Sequence, residues 1–204
     1  MEEIQTSTVR GRGRPRSDES QRAILDATRA LLEERGLADL TIEDVAQRAG
    51  VGKTTIYRRW PTKGTLAFEA FAADFLSRQP LPDTGSLRGD FYAALMSWIR
   101  AVKGTSTGRT LVGLIAEVQR DLELADIWKE KFVKPVRAQH HLMIERAVER
   151  GEVDETIDTD IIVDLLFAPA YHRLLQTHLT MNTRFAHALV DAVLNGVSSR
   201  GAER

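Results

Sequence analysis

The chain has 204 residues, with 28 Lys and Arg against 29 Asp and Glu, and 43 % of it is hydrophobic. That balance excludes wholesale disorder and is enough for one or two compact domains. Cysteine is absent, which excludes disulfide frameworks, thiol nucleophiles, iron–sulfur clusters and Cys-bound zinc.

Met1 to Thr8 is polar and acidic, with no apolar stretch before a small-residue cleavage site. No apolar run approaches the ~18 residues that cross a bilayer. The expectation is a cytoplasmic protein with no membrane partner. Arg10 to Arg16 reads RGRGRPR. Arg12-Gly13-Arg14-Pro15 is the core of an AT-hook, an extended segment suited to a narrow minor groove, where negative potential attracts Arg. The plainer reading is a solvated basic tail acting by charge alone. Residues 1–17 are thus expected to form a basic arm, with Arg12, Arg14 and Arg16 as its DNA-contacting residues.

Helical periodicity begins with Ile24, Ala27, Thr28, Leu31 and Leu32. Asp18 and Gln21 stand three apart before it, like a capping box, and Gly36 suits its C-terminus. A second, short helix carries Ile42, Val45, Ala46 and Ala49 on one face, capped by Thr41 and ended by Gly50. A third runs from Lys53 to Trp60 and stops at Pro61. Thr62 caps a longer one bearing Phe68, Phe71, Ala72 and Phe75.

Gln79 to Gly89 (QPLPDTGSLRG) is a loop. Beyond it, Leu87 to Val102 is helical, Gly104 to Gly108 is a linker, and periodicity resumes from Leu111 to Val118. A long segment holds Trp128, Phe132, Val136, Leu142 and Val148 and ends at Gly151. The last two helices are Thr159–Leu175 and Thr183–Val197, the first interrupted by Pro169. The fold class expected is all-α with about nine helices. An N-terminal three-helix helix-turn-helix domain (18–78, with its linking helix) precedes a larger helical domain (79–204).

The chemistry sits in TIEDVAQRAGVGKTTIYRRWPTK, Thr41 to Lys63. Ala46, Ala49 and Gly50 let two short helices cross closely, and Ile56 and Trp60 anchor the second against the first. Its other face displays Lys53, Thr54, Thr55, Tyr57, Arg58 and Arg59, as a helix entering a major groove requires. From Val45 to Phe68 there are five basic residues and no acid, which suits a phosphate-facing surface.

These elements resemble the TetR family of transcriptional regulators over Asp18 to about Arg78. The resemblance implies a homodimer that binds a palindromic double-stranded DNA operator and is released by a small-molecule effector. It makes Lys53 to Trp60 the recognition helix. Thr54 and Thr55 would approach bases or phosphates, Tyr57 and Lys63 would contact phosphates, and Thr41 sits at a helix N-terminus open to an anion. Gly52 stands where a capping Ser is usual, and Trp60 where Phe is usual.

Ala49 to Thr55 (AGVGKTT) also imitates a phosphate-binding loop. A Gly five residues before Gly52 is needed, and Gln47 is there. An ATPase and an effector-free architectural DNA-binding protein are the alternative classes.

No catalytic or metal constellation is legible beyond residue 79, and no cofactor is expected. His140 and His141 are adjacent and diverge by ~100° on a helix. By analogy with the family, Met96, Ile99, Leu114, Val118, Trp128, Phe132, His140, Phe167 and Tyr171 are expected around an apolar effector pocket. Ile161, Leu165, Leu174, Leu189, Val193, Leu194 and Val197 supply apolar surface for a dimeric four-helix bundle.

The net charge of −1 hides a division. Residues 1–64 sum to +2 and the remainder to −3. Near-neutrality is therefore no argument against nucleic acid.

Overall fold

The computed structural model describes residues 14–79 and 81–197, with the side chains of residues 14–16 and 197 left aside. Its helices are α1 Arg14–Arg35, α2 Ile42–Ala49, α3 Lys53–Tyr57, α4 Lys63–Ser77, α5 Leu87–Val102, α6 Ser106–Val118, α7 Leu122–Trp128, α8 Lys134–Glu149, α9 Thr159–Gln176 and α10 Thr183–Val197. Among the described residues no strand element forms. A π-helical turn, Lys129–Val133, joins α7 to α8. Counted as one rod, α7 to α8 is the long segment expected from the sequence, and the rods then number nine.

Caps set most helix boundaries. Thr41 accepts from the Asp44 amide at 3.1 Å and starts α2. Gly50, at φ 66°, ends it in a left-handed turn that a side chain would strain. Gly52 offers α3 no side-chain cap, as its lack of a hydroxyl dictates. Thr62 and Thr65 form a reciprocal box at the start of α4.

Several boundaries differ from expectation. Helix α3 ends at Tyr57, and Arg58 and Arg59 form a turn before Trp60, so the helix is shorter than the Lys53–Trp60 span expected. Helix α5 starts at Leu87, inside the expected loop. Helix α1 starts at Arg14, so Asp18 lies inside it and caps nothing. The backbone of Arg14 to Arg16 is therefore helical rather than extended, and the boundary at residue 17 falls within α1. The Gly104–Gly108 linker is also shorter than expected. Thr105 caps α6, and Gly108 lies in its first turn. A Cβ at Gly108 would stand 1.9 Å from the Val102 carbonyl oxygen, so glycine is needed for that approach.

One continuous core unites the chain. Ile24, Ala27, Leu31 and Leu32 of α1 pack with Val45, Ile56 and Trp60. Thr28, fully buried, satisfies its hydroxyl on the Ile24 carbonyl at 2.7 Å. Helix α4 is buried along nearly its whole length, from Gly64 to Phe75, and joins the N-terminal helices to the larger bundle. Near Pro169, α9 continues unbroken, although Leu165 loses the amide partner that any other residue would supply. No described helix is long and apolar enough to cross a membrane.

Candidate nucleic-acid interface and internal cavity

In α3, Ile56 is fully buried, and Trp60 just beyond is 2 % exposed. The opposite face carries Lys53, Thr54, Tyr57, Arg58 and Arg59 in the open, with Thr55 half-buried. Tyr57, at 49 % exposure, is a large aromatic ring held in water with no packing reason to be there.

The basic block is less uniform than the linear sequence implies. Arg48 makes a two-pronged pair with Glu34 of α1, both contacts 2.8 Å. Lys53 meets Glu43 of α2 at 2.6 Å. These pairs hold Glu34 and Glu43 below the usual carboxylate range, mainly through the hydrogen bonds from Arg48 and Lys53. Lys63 donates to the carbonyls of Leu37 and Ala38 at 3.0 and 3.2 Å, fixing the α1–α2 turn to α4. Among the described residues, Arg58 and Arg59 are the block's two cations whose side chains have neither an ion-pair nor a hydrogen-bond partner; Arg59 lies 5.6 Å from the Trp60 ring centroid. Thr41 shares its hydroxyl between capping and a 2.9 Å bond to Asp44, which also takes Arg35. A carboxylate therefore already occupies the α2 N-terminus. Arg12 lies outside the described residues, and only the backbone of Arg14 and Arg16 is described.

Trp60 has a role that the sequence does not disclose. Its indole N–H donates to Glu69 of α4 at 2.9 Å, and Gln21 of α1 donates to the other oxygen of the same carboxylate at 3.2 Å. One carboxylate thus ties the end of the exposed helix to both helices beneath it. Phe at position 60 could not do this.

The AGVGKTT segment crosses the α2–α3 turn. Helix α2, not a strand, directly precedes it, and its lysine is engaged by Glu43. It lacks the strand–loop–helix context of a phosphate loop.

The larger bundle holds a cavity of about 370 Å³, partly open to solvent, between α4, α5, α6, α7, α8 and α9. Five of the nine residues expected there line it: Trp128, Phe132, His140, Phe167 and Tyr171. Met96, Ile99, Leu114 and Val118 do not. Ile99 and Leu114 are buried in core between α5 and α6, and Met96 and Val118 pack against that core. The side of α5 and α6 that meets the cavity is offset by about one residue, so Ala94, Trp98 and Ile115 line it instead. Phe75, Val133, Val136, Arg137, Val163 and Asp164 also contribute. Trp128, Phe132 and Val133 belong to the π turn or border it, and such turns often mark functional sites.

The cavity touches α4 through aromatic contacts. Trp128 packs on Phe68 at 5.7 Å and on Phe132 at 4.5 Å, and Phe132 meets Phe71 and Phe75 at 5.9 and 5.6 Å. Burial pushes the His140 imidazole down to about 4, aided by the Arg137 and His141 charges. It is neutral at pH 7 and packs its ring on Phe167 at 4.4 Å. Burial also raises the Tyr171 phenol to about 12, partly countered by the nearby Trp98 indole N–H.

Several acids and His141 have structural roles. Asp158 caps α9, Asp154 holds the Thr156 amide, and Asp160 takes Arg137 and His141. Among the described residues no three His, Asp or Glu side chains converge on a metal-sized point.

Outside the cavity, α9 exposes Ile161 at 54 % and Leu165 at 50 %. With His172 and Leu175 they form one helical stripe that meets the cavity wall at Ala168; Ala188 and Ala192 of α10 are exposed as well. Of the residues expected at a dimer contact, Val193 is a correction. It is 5 % exposed and packs into its own subunit, because the inward face of α10 is Ala186, Val190 and Val193. Leu174, Leu189 and Leu194 are half-buried against the same core.

Residues 24–70 match the family described as bacterial regulatory proteins, tetR family, and residues 81–193 match the tetracyclin repressor-like C-terminal domain. The transcriptional regulator YdeS of Bacillus subtilis is 33 % identical over 94 % of this chain and 96 % of its own length. A DNA-binding transcriptional repressor, TetR, of Mycobacteroides abscessus is 31 % identical over 88 % of this chain and 94 % of its own. The crystal structure of the TetR family transcription regulator SCO0332 superposes with a TM-score of 0.76 at 35 % identity, over 88 % of this chain and 98 % of that one.

Proposed function

The chain belongs to the TetR family of transcriptional regulators, a family of DNA-binding proteins and not of enzymes, and on that premise we propose that it is a ligand-released repressor acting as a homodimer on a palindromic operator. The observation that carries this reading is the join between cavity and head. Trp128 and Phe132 are at once cavity wall and the packing surface of α4. Helix α4 in turn holds the head through Lys63 and through Glu69. A ligand that displaces either ring moves α4, and α4 moves the recognition helix.

Thr54, Tyr57, Arg58 and Arg59 are the side chains ready to face DNA, with Lys53 and Thr55 beside them. Lys53 exchanges an exposed carboxylate for a phosphate at little cost, since such surface pairs are weak. Lys63 acts by holding the head together more than by meeting DNA. Arg10 to Arg16 add cationic reach at the start of α1. The exposed stripe of α9, with Ala188 and Ala192 of α10, provides a face for a second copy. Two-fold pairing of these helices makes a four-helix bundle and sets the two heads about one DNA turn apart, ~34–36 Å. A 100-fold preference of the effector for the DNA-free state corresponds to about 2.7 kcal/mol of coupling.

Selection of bound duplexes from a random pool by the purified full chain tests this reading. The expected product is an inverted repeat bound by two protomers. Enrichment of a single asymmetric site, or of no sequence at all, overturns it.

A further inference from the structure

Resting on the reading of the cavity as the effector site, we propose that it accepts an uncharged planar aromatic molecule bearing a hydrogen-bond acceptor, which the Tyr171 hydroxyl reads. Aromatic rings from three directions define the space: Trp98 from α5, Trp128 and Phe132 from the α7–α8 rod, and Phe167 from α9. Flat π-faces of this kind favour a flat π-system between them.

The charges decide against an ionic ligand. Arg137 is the cation on the wall, and four of its five N–H donors are already taken. Its Nε and Nη2 donate to Asp160 at 2.9 and 2.7 Å, and its Nη1 donates to Asp164 at 2.6 Å. Two carboxylates on one guanidinium leave a surplus negative charge, so an anion finds no free cation and a repulsive edge. A cation gains little either. Asp160 and Asp164 have 58 % and 65 % exposed side chains, and charges in water attract weakly. Burying an ion without a counter-charge in the apolar interior is costly. His140 adds no charge near neutral pH, because burial keeps it unprotonated.

The hydrogen-bonding preference follows from Tyr171. The neighbouring Trp98 indole, packed on the Tyr171 ring at 4.8 Å, can only donate, so it makes no demand on the phenolic proton and leaves the O–H as a donor. Burial keeps that proton in place at any physiological pH. A carbonyl or ring acceptor on the ligand completes it, and Gln79 and Gln139 add uncharged amides to the wall.

The test uses environment-sensitive dyes on the full-length protein: prodan (neutral, with a carbonyl), N-phenylnaphthylamine (neutral, without one), anilinonaphthalene sulfonate (anionic) and thioflavin T (cationic). Prodan is expected to bind at least ~10-fold more tightly than either charged dye. Tyr171→Phe should weaken prodan ~10-fold and shift its emission to the blue, leaving N-phenylnaphthylamine within about twofold. Val136→Trp, which fills the cavity, should remove all neutral-dye binding. Equal affinity for a charged dye, or prodan binding indifferent to Tyr171→Phe, overturns this inference and leaves the cavity reading intact. No dye binding by the wild type, or binding indifferent to Val136→Trp, overturns both.

Discussion

Trp60→Phe isolates the link between the recognition helix and the helices beneath it. The substitution keeps an aromatic anchor at a site only 2 % exposed but deletes the N–H that donates to Glu69 at 2.9 Å. A hydrogen bond to a carboxylate contributes about 1.5–3 kcal/mol. Glu69 is half-buried and keeps its Gln21 partner, so it recovers water readily and the loss falls near the lower figure. The smaller ring leaves space behind, adding about 1 kcal/mol. The sum is about 2–3 kcal/mol, or ~5–10 °C in melting temperature for a chain of this length. Thermal and urea unfolding of Trp60→Phe, Glu69→Met and the double variant form a mutant cycle. A coupling above about 1 kcal/mol is expected, because the two side chains share one bond. DNA affinity should fall in both single variants although neither side chain faces DNA. Strict additivity, or full DNA affinity in Glu69→Met, refutes the linkage.

Three further outcomes follow from the geometry. His140 should make stability pH-dependent. Its folded value of about 4 lies below the ordinary 6.5, so the unfolded chain binds the extra proton between those limits. Stability is therefore full above about pH 6.5 and falls by roughly 3 kcal/mol as pH drops towards 4; urea midpoints across that range should flatten in His140→Leu. At the outer face, Leu165→Arg should convert a dimer to folded monomer in light scattering, whereas Val193→Arg, placed in a subunit core, should unfold the chain. At the DNA face, Arg58→Ala and Arg59→Ala should each reduce the salt slope of operator binding by about one unit. Arg48→Ala should leave that slope unchanged, since Arg48 is engaged by Glu34; an equal loss of slope in Arg48→Ala would show that the pair opens on DNA.

What this sequence determined by itself is whatever depends on neighbours a turn away. The caps at Thr41, Thr62 and Thr105, the left-handed stop at Gly50 and the buried phase of Ile42, Val45, Ile56 and Trp60 are all set within about four residues. The DNA-facing surface of α3 follows, because burying one face of a short helix exposes the other. Tertiary structure alone decided what depends on distant partners. Glu34 and Glu43 neutralise cations that stand in an acid-free stretch of sequence. Glu69 gives Trp60 a purpose from the middle of a helix whose spacing marks it only as an outer position. In the C-terminal bundle every helix has an apolar face wider than one contact needs. Periodicity there cannot separate core from cavity wall, or inner face from outer. The rotation of each helix against its neighbours made Leu114 core and Ile115 wall, and turned Val193 inward while leaving Leu165 exposed. That rotation is fixed by packing among residues far apart in the chain.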